Sequence, residues 1–545
     1  MNNLLRAEVE KWIAEDPDFK TREQLELWLR EENETELRLS FSGFLEFGTA
    51  GLRGAIGPGP SRMNRAVVSK TAAGLAAFMK KRGLNSIVVG RDARFGSEDF
   101  TFDTAEIMAG AGLKVFILPR PLPTPVLAYA LKFLECDAGV MVTASHNPPQ
   151  DNGYKVYLNG VVDGINYYGS QIMSPTDQEI SAEIASVAPL YTLPRLREWT
   201  ILDENVFESY VAKTSALAPN PSNLKIVYSA MHGVGTETIS KVFSAAGFPA
   251  LILVKEQSEP DPNFPTVAFP NPEEPGAMDL SLALARKIDA DLVIANDPDA
   301  DRCAAAIKDP QSGWRVLRGD EVGALLGDFL GRKGATGQFA NSIVSSSILR
   351  KIAEHYAIPF TETLTGFKYL SKVENLTFGY EEALGYCVDA SHVNDKDGIS
   401  AALLLAQLAA LLKSEGNSLN DRLQEIWSRH GFHGTRQISV RTANLGEIEE
   451  ILSIFRFSCP REIAGLSVTG IEDLAEPSDG LPPTNGIRLY LDHRIRIIVR
   501  PSGTEPKVKC YIEVIETGEP SQAQVRAEVT LGNIEKALRK LLRQS

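Results

Sequence analysis

Short apolar, β-branched runs alternate with amphipathic stretches along most of this chain. The runs at 86–90, 113–118, 139–142, 225–228, 251–254 and 292–295 read as strands, and 67–81 and 278–287 keep helical spacing between them. Alternation of this kind predicts mixed α/β domains with partly parallel sheets. The first forty residues read as a helical arm, with Leu25, Leu27, Trp28 and Leu29 set in a charged segment. Beyond 439–446 the helical pattern thins. Runs at 487–491 and 495–499 then read as a hairpin leading to 508–515 and a closing helix, a smaller α+β domain. Joints at 218–223 and 331–337, rich in proline and glycine respectively, with the weakly patterned 439–446, divide the chain into 1–217, 218–328, 329–438 and 439–545.

Length supports that division, because 545 residues exceed what one core organises. Hydrophobic residues at 43% and charged residues at 23% are ordinary globular composition and argue against extended disorder. The best apolar stretch, 401–412, is shorter than the ~18–20 residues of a bilayer span and contains Gln407, so it reads as a buried helix with no membrane role. The acidic, amphipathic N-terminus lacks the basic start and apolar core of a secretory signal. Five scattered cysteines without a Cys-x-x-Cys pair suit a reducing cytoplasm and give no zinc site. A net charge of −14 excludes nonspecific nucleic-acid binding. It also means that an anionic substrate needs concentrated local positive charge.

Four predicted strands run into loops where such chemistry collects, and in open α/β sheets ligands bind beyond the carboxyl ends of strands. The first loop is Thr143-Ala144-Ser145-His146-Asn147-Pro148-Pro149, which places a candidate nucleophile, Ser145, beside His146. The alternative is a plain Ser/Asn/Pro turn; a Gly-x-Ser-x-Gly elbow is excluded. In Asn296-Asp297-Pro298-Asp299-Ala300-Asp301-Arg302, three carboxylates alternate, a costly crowding unless a hard cation neutralises it. An EF-hand fails at Arg302 and Lys308, and an aspartyl-phosphatase motif fits the third aspartate poorly. Mg²⁺ with open positions for phosphate oxygens fits best, against a solvated acidic turn. Gly379-Tyr380-Glu381-Glu382-Ala383-Leu384-Gly385 offers carboxylates to sugar hydroxyls, or else a helix-start turn. Arg500-Pro501-Ser502-Gly503-Thr504-Glu505-Pro506-Lys507 can wrap a phosphate with backbone N–H groups, hydroxyls and two cations, or else form a type II turn. His232 reads as structural, and the remaining histidines outside the loops show no ligand spacing.

In this order the four loops resemble the active-site loops of the α-D-phosphohexomutase superfamily, from about Phe47 to Ile515. FGTAGLRG (47–54) is similar to its opening motif. The form of the loops, with TGFKYL (365–370), resembles the phosphoglucomutase branch, which includes phosphopentomutases and glucose 1,6-bisphosphate synthases. The resemblance implies three mixed α/β domains of related fold and a C-terminal α+β domain with a TATA-binding-protein-like sheet, around a central cleft. It implies a phosphorylated Ser145 completing the coordination of Mg²⁺ held by Asp297, Asp299 and Asp301, and transfer through a bisphosphate such as glucose 1,6-bisphosphate. Arg53 is then expected to assist near Ser145, and Lys155 or His146 to carry the proton. Arg500, Ser502, Gly503, Thr504 and Lys507 are expected to grip the substrate phosphate. Glu381 is expected to read the sugar, with Arg302, Thr365, Gly366, Lys368 and Lys396 also binding substrate. Ala383 replaces a serine found in many hexose mutases, which leaves hexose against pentose open. The rival expectations are a pentose mutase, a bisphosphate synthase and a non-catalytic phosphosugar sensor; the last is disfavoured because Ser145 and the aspartates are intact. The implied partner is a phosphorylated sugar, and oligomeric state is not readable.

Overall fold

The computed structural model describes residues 3–48, 51–219, 223–310, 313–442, 445–478, 480–501 and 507–542. The chain forms two compact units, residues 1–316 with 385–410, and residues 317–384 with 411–545.

In the first unit the N-terminal arm is three helices, Asn3–Glu15, Phe19–Arg30 and Glu34–Ser40. Asp18 and Asn33 start the second and third by accepting hydrogen bonds from backbone N–H groups of the first turn. Leu5, Val9, Trp12, Leu25 and Leu37 pack on Ala66, Val67 and Leu190. Leu25 is buried and Leu27 is not, as expected where residues two apart point to different sides of a helix.

The arm leads into a seven-stranded sheet. Its main order is Leu52–Ala55, Asp151–Leu158, Ala138–Val142, Ser86–Arg91, Lys114–Ile117 and Trp199–Ile201. Ala138–Val142, Ser86–Arg91 and Lys114–Ile117 are parallel, whereas Asp151–Leu158 and Leu52–Ala55 run antiparallel on one flank. All five residues of Ala138–Val142 are buried, as a strand covered on both faces requires. A second sheet has Ile252–Leu253, Ile226–Ser229 and Leu292–Ala295 in parallel, followed by antiparallel Ala304–Asp309 and Gly313–Val316. Strand 292–295 has the bounds its pattern predicts, and the other five strands predicted in this unit differ by one residue at one end or at both.

In the second unit Phe360–Thr363, Gln338–Ser342 and Leu376–Glu381 lie parallel. The expected boundary after 328 is corrected: it falls inside the helix Gly319–Arg332, whereas the second unit begins ahead of that helix, at residue 317. The boundary after 438 likewise falls inside the strand Phe432–Arg441, which pairs along its length with Lys507–Glu516. That antiparallel sheet continues through Ile495–Pro501, Ile487–Leu491, Leu466–Asp473 and Glu462–Ile463. The helix Leu445–Phe457, not anticipated from the thinning pattern, accompanies it, and Pro520–Leu541 closes the chain. The apolar stretch 401–412 lies within the helix Gly398–Ser414, and among the described residues no single helix is long and apolar enough to cross a membrane.

Candidate active site

Ser145 sits three residues past the end of Ala138–Val142, in a turn with φ +52°, left-handed for a residue that carries a Cβ. Its N–H donates to Thr143 Oγ1 at 2.9 Å. Its hydroxyl donates to Asp297 Oδ2 at 2.6 Å and lies 3.2 Å from His146 Nδ1. At 1% exposure the side chain is buried in this arrangement.

The strand Leu292–Ala295 delivers the acidic loop to the same place. Asp297, Asp299 and Asp301 are buried, and each offers one carboxylate oxygen within 4.8 Å of the others. Ala300 takes φ +55°, and Arg302 N–H donates to Asp297 Oδ1 at 3.0 Å, which folds the loop back on its first aspartate. Lys155, from the antiparallel strand Asp151–Leu158, is fully buried and places Nζ 2.7 Å from both Asp299 Oδ2 and Asp301 Oδ2. Lys396 Nζ approaches Asp301 Oδ2 at 3.3 Å, and Arg302 Nε stands 3.9 Å from Asp301 Oδ1 and 4.0 Å from Asp297 Oδ2. Arg53 arrives on Leu52–Ala55 and donates through Nη1 to Asn147 Oδ1 at 3.1 Å. The neighbouring Gly51 is required there: at φ +85°, a Cβ would stand 2.4 Å from Tyr154 O.

The electrostatics show what the trio lacks. Burial, then Asp299 and Asp301, push Asp297 well above the usual carboxylate range. Burial acts the same way on Asp299 and Asp301, but Lys155 holds both below their ordinary value, with Lys396 and Arg302 also acting on Asp301. Even so, Asp299 Oδ1 and Asp301 Oδ1 are buried without a hydrogen-bond partner among the described residues. An all-oxygen donor set with two orphaned buried oxygens, and with Asp297 pushed up by burial and by its like-charged neighbours, fits a hard divalent cation such as Mg²⁺. Desolvation, then Arg302 and Arg53, hold His146 well below 6.5, so its imidazole is neutral.

Some contributors left no recognised signal in the sequence. Thr124, at the start of the helix Thr124–Phe133, donates its hydroxyl to Asp299 Oδ2 at 2.6 Å and its N–H to Asp299 O at 2.9 Å. Near the other end of that helix, Lys132 Nζ donates to Ala390 O at 3.1 Å and to Ser391 O, in the loop that carries Lys396. Arg94, just past the end of Ser86–Arg91, lies beneath the Ser145 turn; its position after a strand was the available clue. His232 Nε2 pairs with Thr266 Oγ1 at 2.8 Å, away from these residues in sequence and role.

In the second unit Gly366 N–H donates to Glu381 Oε1 at 2.7 Å, joining two of the expected sugar-binding residues. Thr365 Oγ1 is buried without a partner among the described residues, and Lys368 lies on the short helix Phe367–Leu370. Glu382 turns instead to Ser345 Oγ at 3.2 Å and Ser342 Oγ at 3.3 Å. Arg500 and Lys507 belong to the paired strands Ile495–Pro501 and Lys507–Glu516. Ser502, Gly503 and Thr504 lie outside the described residues.

Comparison with known proteins identifies the class. The phosphoglucomutase/phosphomannomutase family matches as alpha/beta/alpha domain I over 45–189, domain II over 207–313, domain III over 318–430 and the C-terminal domain over 440–530. A probable phosphomannomutase of Haemophilus influenzae is 46% identical over 488 residues, covering 88% of this chain and 98% of that protein. A phosphopentomutase of Pongo abelii is 33% identical, covering 96% and 94%. A phosphoglucomutase of Staphylococcus epidermidis is 36% identical, covering 86% and 90%. Among solved structures, a putative phosphomannomutase from Thermus thermophilus shares the fold with a TM-score of 0.72 at 24% identity, over 92% of this chain and 99% of that one. The chain belongs to the phosphoglucomutase/phosphomannomutase family, and it is a phosphomutase, an isomerase that moves a phosphoryl group within its substrate.

Proposed function

We propose that this phosphomutase interconverts α-D-glucose 1-phosphate and glucose 6-phosphate through a phosphorylated Ser145 and a glucose 1,6-bisphosphate intermediate. The observation that carries the reading is the Ser145 hydroxyl on Asp297, at the edge of a buried aspartate trio. Asp297, Asp299 and Asp301 would hold Mg²⁺, which when bound supplies positive charge to offset that of the transferring phosphoryl group.

In the forward half-reaction the bond between phosphorus and Ser145 Oγ breaks as one forms to the free hydroxyl of the sugar monophosphate. The hydroxyl proton passes to the imidazole of His146, whose Nδ1 lies beside Ser145 Oγ, while Lys155 keeps its place between Asp299 and Asp301. Arg53 assists beside Ser145. The bisphosphate then turns round and returns its other phosphate to Ser145, freeing the product. Arg500, Ser502, Gly503, Thr504 and Lys507 grip the phosphate that is not in transfer. Glu381, steadied by Gly366 N–H, reads the ring hydroxyls, with Arg302, Thr365, Lys368 and Lys396 completing the contacts. The five scattered cysteines favour action in the cytoplasm.

A pentose substrate is the second reading. Ala383 supplies no hydroxyl to the sugar, and a phosphopentomutase aligns over nearly the whole chain. Coupled assays on glucose 1-phosphate, mannose 1-phosphate and ribose 1-phosphate, with and without Mg²⁺, discriminate. Glucose 1-phosphate should give the highest kcat/KM, a ribose preference would replace the first reading with the second, and turnover of neither would overturn both.

A further inference from the structure

The Ser145 turn is held from below by one side chain. Arg94 Nη2 donates to Ser145 O at 2.6 Å and Asn147 O at 2.5 Å, and Nη1 donates to Pro148 O at 2.9 Å and Asp151 O at 3.1 Å. A single planar guanidinium therefore collects four carbonyl oxygens from seven consecutive residues. Arg94 is itself fixed: it is 4% exposed, its Nε lies 3.5 Å from Asp92 Oδ2, and its guanidinium lies over the Phe264 ring at 4.8 Å. Asp92 in turn accepts from Arg94 N–H at 3.0 Å and Ser97 Oγ at 2.8 Å. The segment so gripped contains the one residue, Ser145, whose φ is unfavourable for a side chain and whose hydroxyl faces Asp297.

We propose that Arg94 is a positioning residue: it holds Ser145 in its left-handed turn, so that Oγ points at the aspartate trio, and touches no substrate itself. The inference rests on the reading of Ser145 as the phosphoryl carrier. A left-handed conformation for a non-glycine residue persists only where its surroundings over-determine it, and four charge-assisted hydrogen bonds to the same turn do so. A lysine keeps the charge but cannot span four fixed acceptors, so R94K separates geometry from electrostatics.

The test uses the full chain. R94K should lower kcat per folded molecule about 10²-fold, the loss that a misplacement of roughly 1 Å brings, with KM changed less than about twofold. A loss under tenfold, or a failure of R94K to fold, overturns the inference, because a positioning residue leaves the rest of the domain intact. Stability gives an independent readout, using S145A and S145G so that neither background can be phosphorylated. With Arg94 present, S145G should melt above S145A, since glycine takes positive φ without steric cost; when R94K is added to both, that gap should close as the turn relaxes. An unchanged gap means that Arg94 is ordinary packing and sinks the inference. Turnover by S145A would defeat the reading of Ser145 itself, whereas a dead S145A beside a fully active R94K defeats only the role of Arg94.

Discussion

A single buried carboxylate and a buried cluster of three show, within this chain, how satisfaction separates structure from chemistry. In the second unit Glu513 has every oxygen engaged. Oε1 accepts from Ser346 Oγ and Ser347 N–H at 2.7 Å and lies 3.0 Å from His433 Nδ1, and Oε2 lies 3.0 Å from Arg496 Nη2. Burial alone would raise its pKa, but Arg496, His433 and Ser346 hold it well below 4.5. The trio of Asp297, Asp299 and Asp301 is as deeply buried, yet Asp297 is pushed up and two oxygens are orphaned. A completed network needs nothing more; an incomplete one of like charges is configured for a ligand.

The contrast breaks first at Ser145. S145A should abolish turnover in a coupled assay while remaining folded by circular dichroism. Because the hydroxyl is buried and not on the surface, the stability cost should be about 1 kcal/mol, the net worth of one hydrogen bond. Next, D297N should lower kcat by roughly 10²–10³-fold, yet the metal-free variant should melt no lower than wild type, because a like charge has gone. Mg²⁺ at 100 times its Kd should stabilise the wild type by about 2.7 kcal/mol in thermal melts and leave D297N unmoved. E513Q should do the reverse, costing about 3–5 kcal/mol in denaturant unfolding with kcat per folded molecule unchanged. The smallest effect is in pH. Glu513 has a depressed folded pKa, so its stabilisation is present above its ordinary 4.5 and disappears as pH falls below it. Acid titration of Tm should therefore lose part of its slope below pH 4.5 in E513Q; an unchanged slope would refute the depressed pKa of Glu513.

Much of the site was legible because its chemistry sits in contiguous, unusual strings. Alternating aspartates and a serine beside a histidine each depart from what a neutral turn needs. The strands feeding them were legible for the same reason that Val140 and Ile294 are buried on all sides: a parallel strand leaves an uninterrupted apolar run. What stayed hidden was long-range. Arg94, Thr124 and Lys132 act through partners 51 to 259 residues away, and apart from the place of Arg94 just after a strand nothing local distinguishes them from ordinary surface residues. The boundaries after 328 and 438 failed because glycines near a helix end and a weak pattern on a half-exposed edge strand imitate linkers.

The helix Thr124–Phe133 carries a mechanical consequence. Ten residues span about 15 Å, with the Asp299 loop fastened near one end and the Lys396 segment near the other. Any tilt of this rod carries both attachments together, so the separation of Asp301 from Lys396 survives motions that would pull apart two independently tethered loops. The chain thus gains a built-in ruler between an anion and its counter-ion.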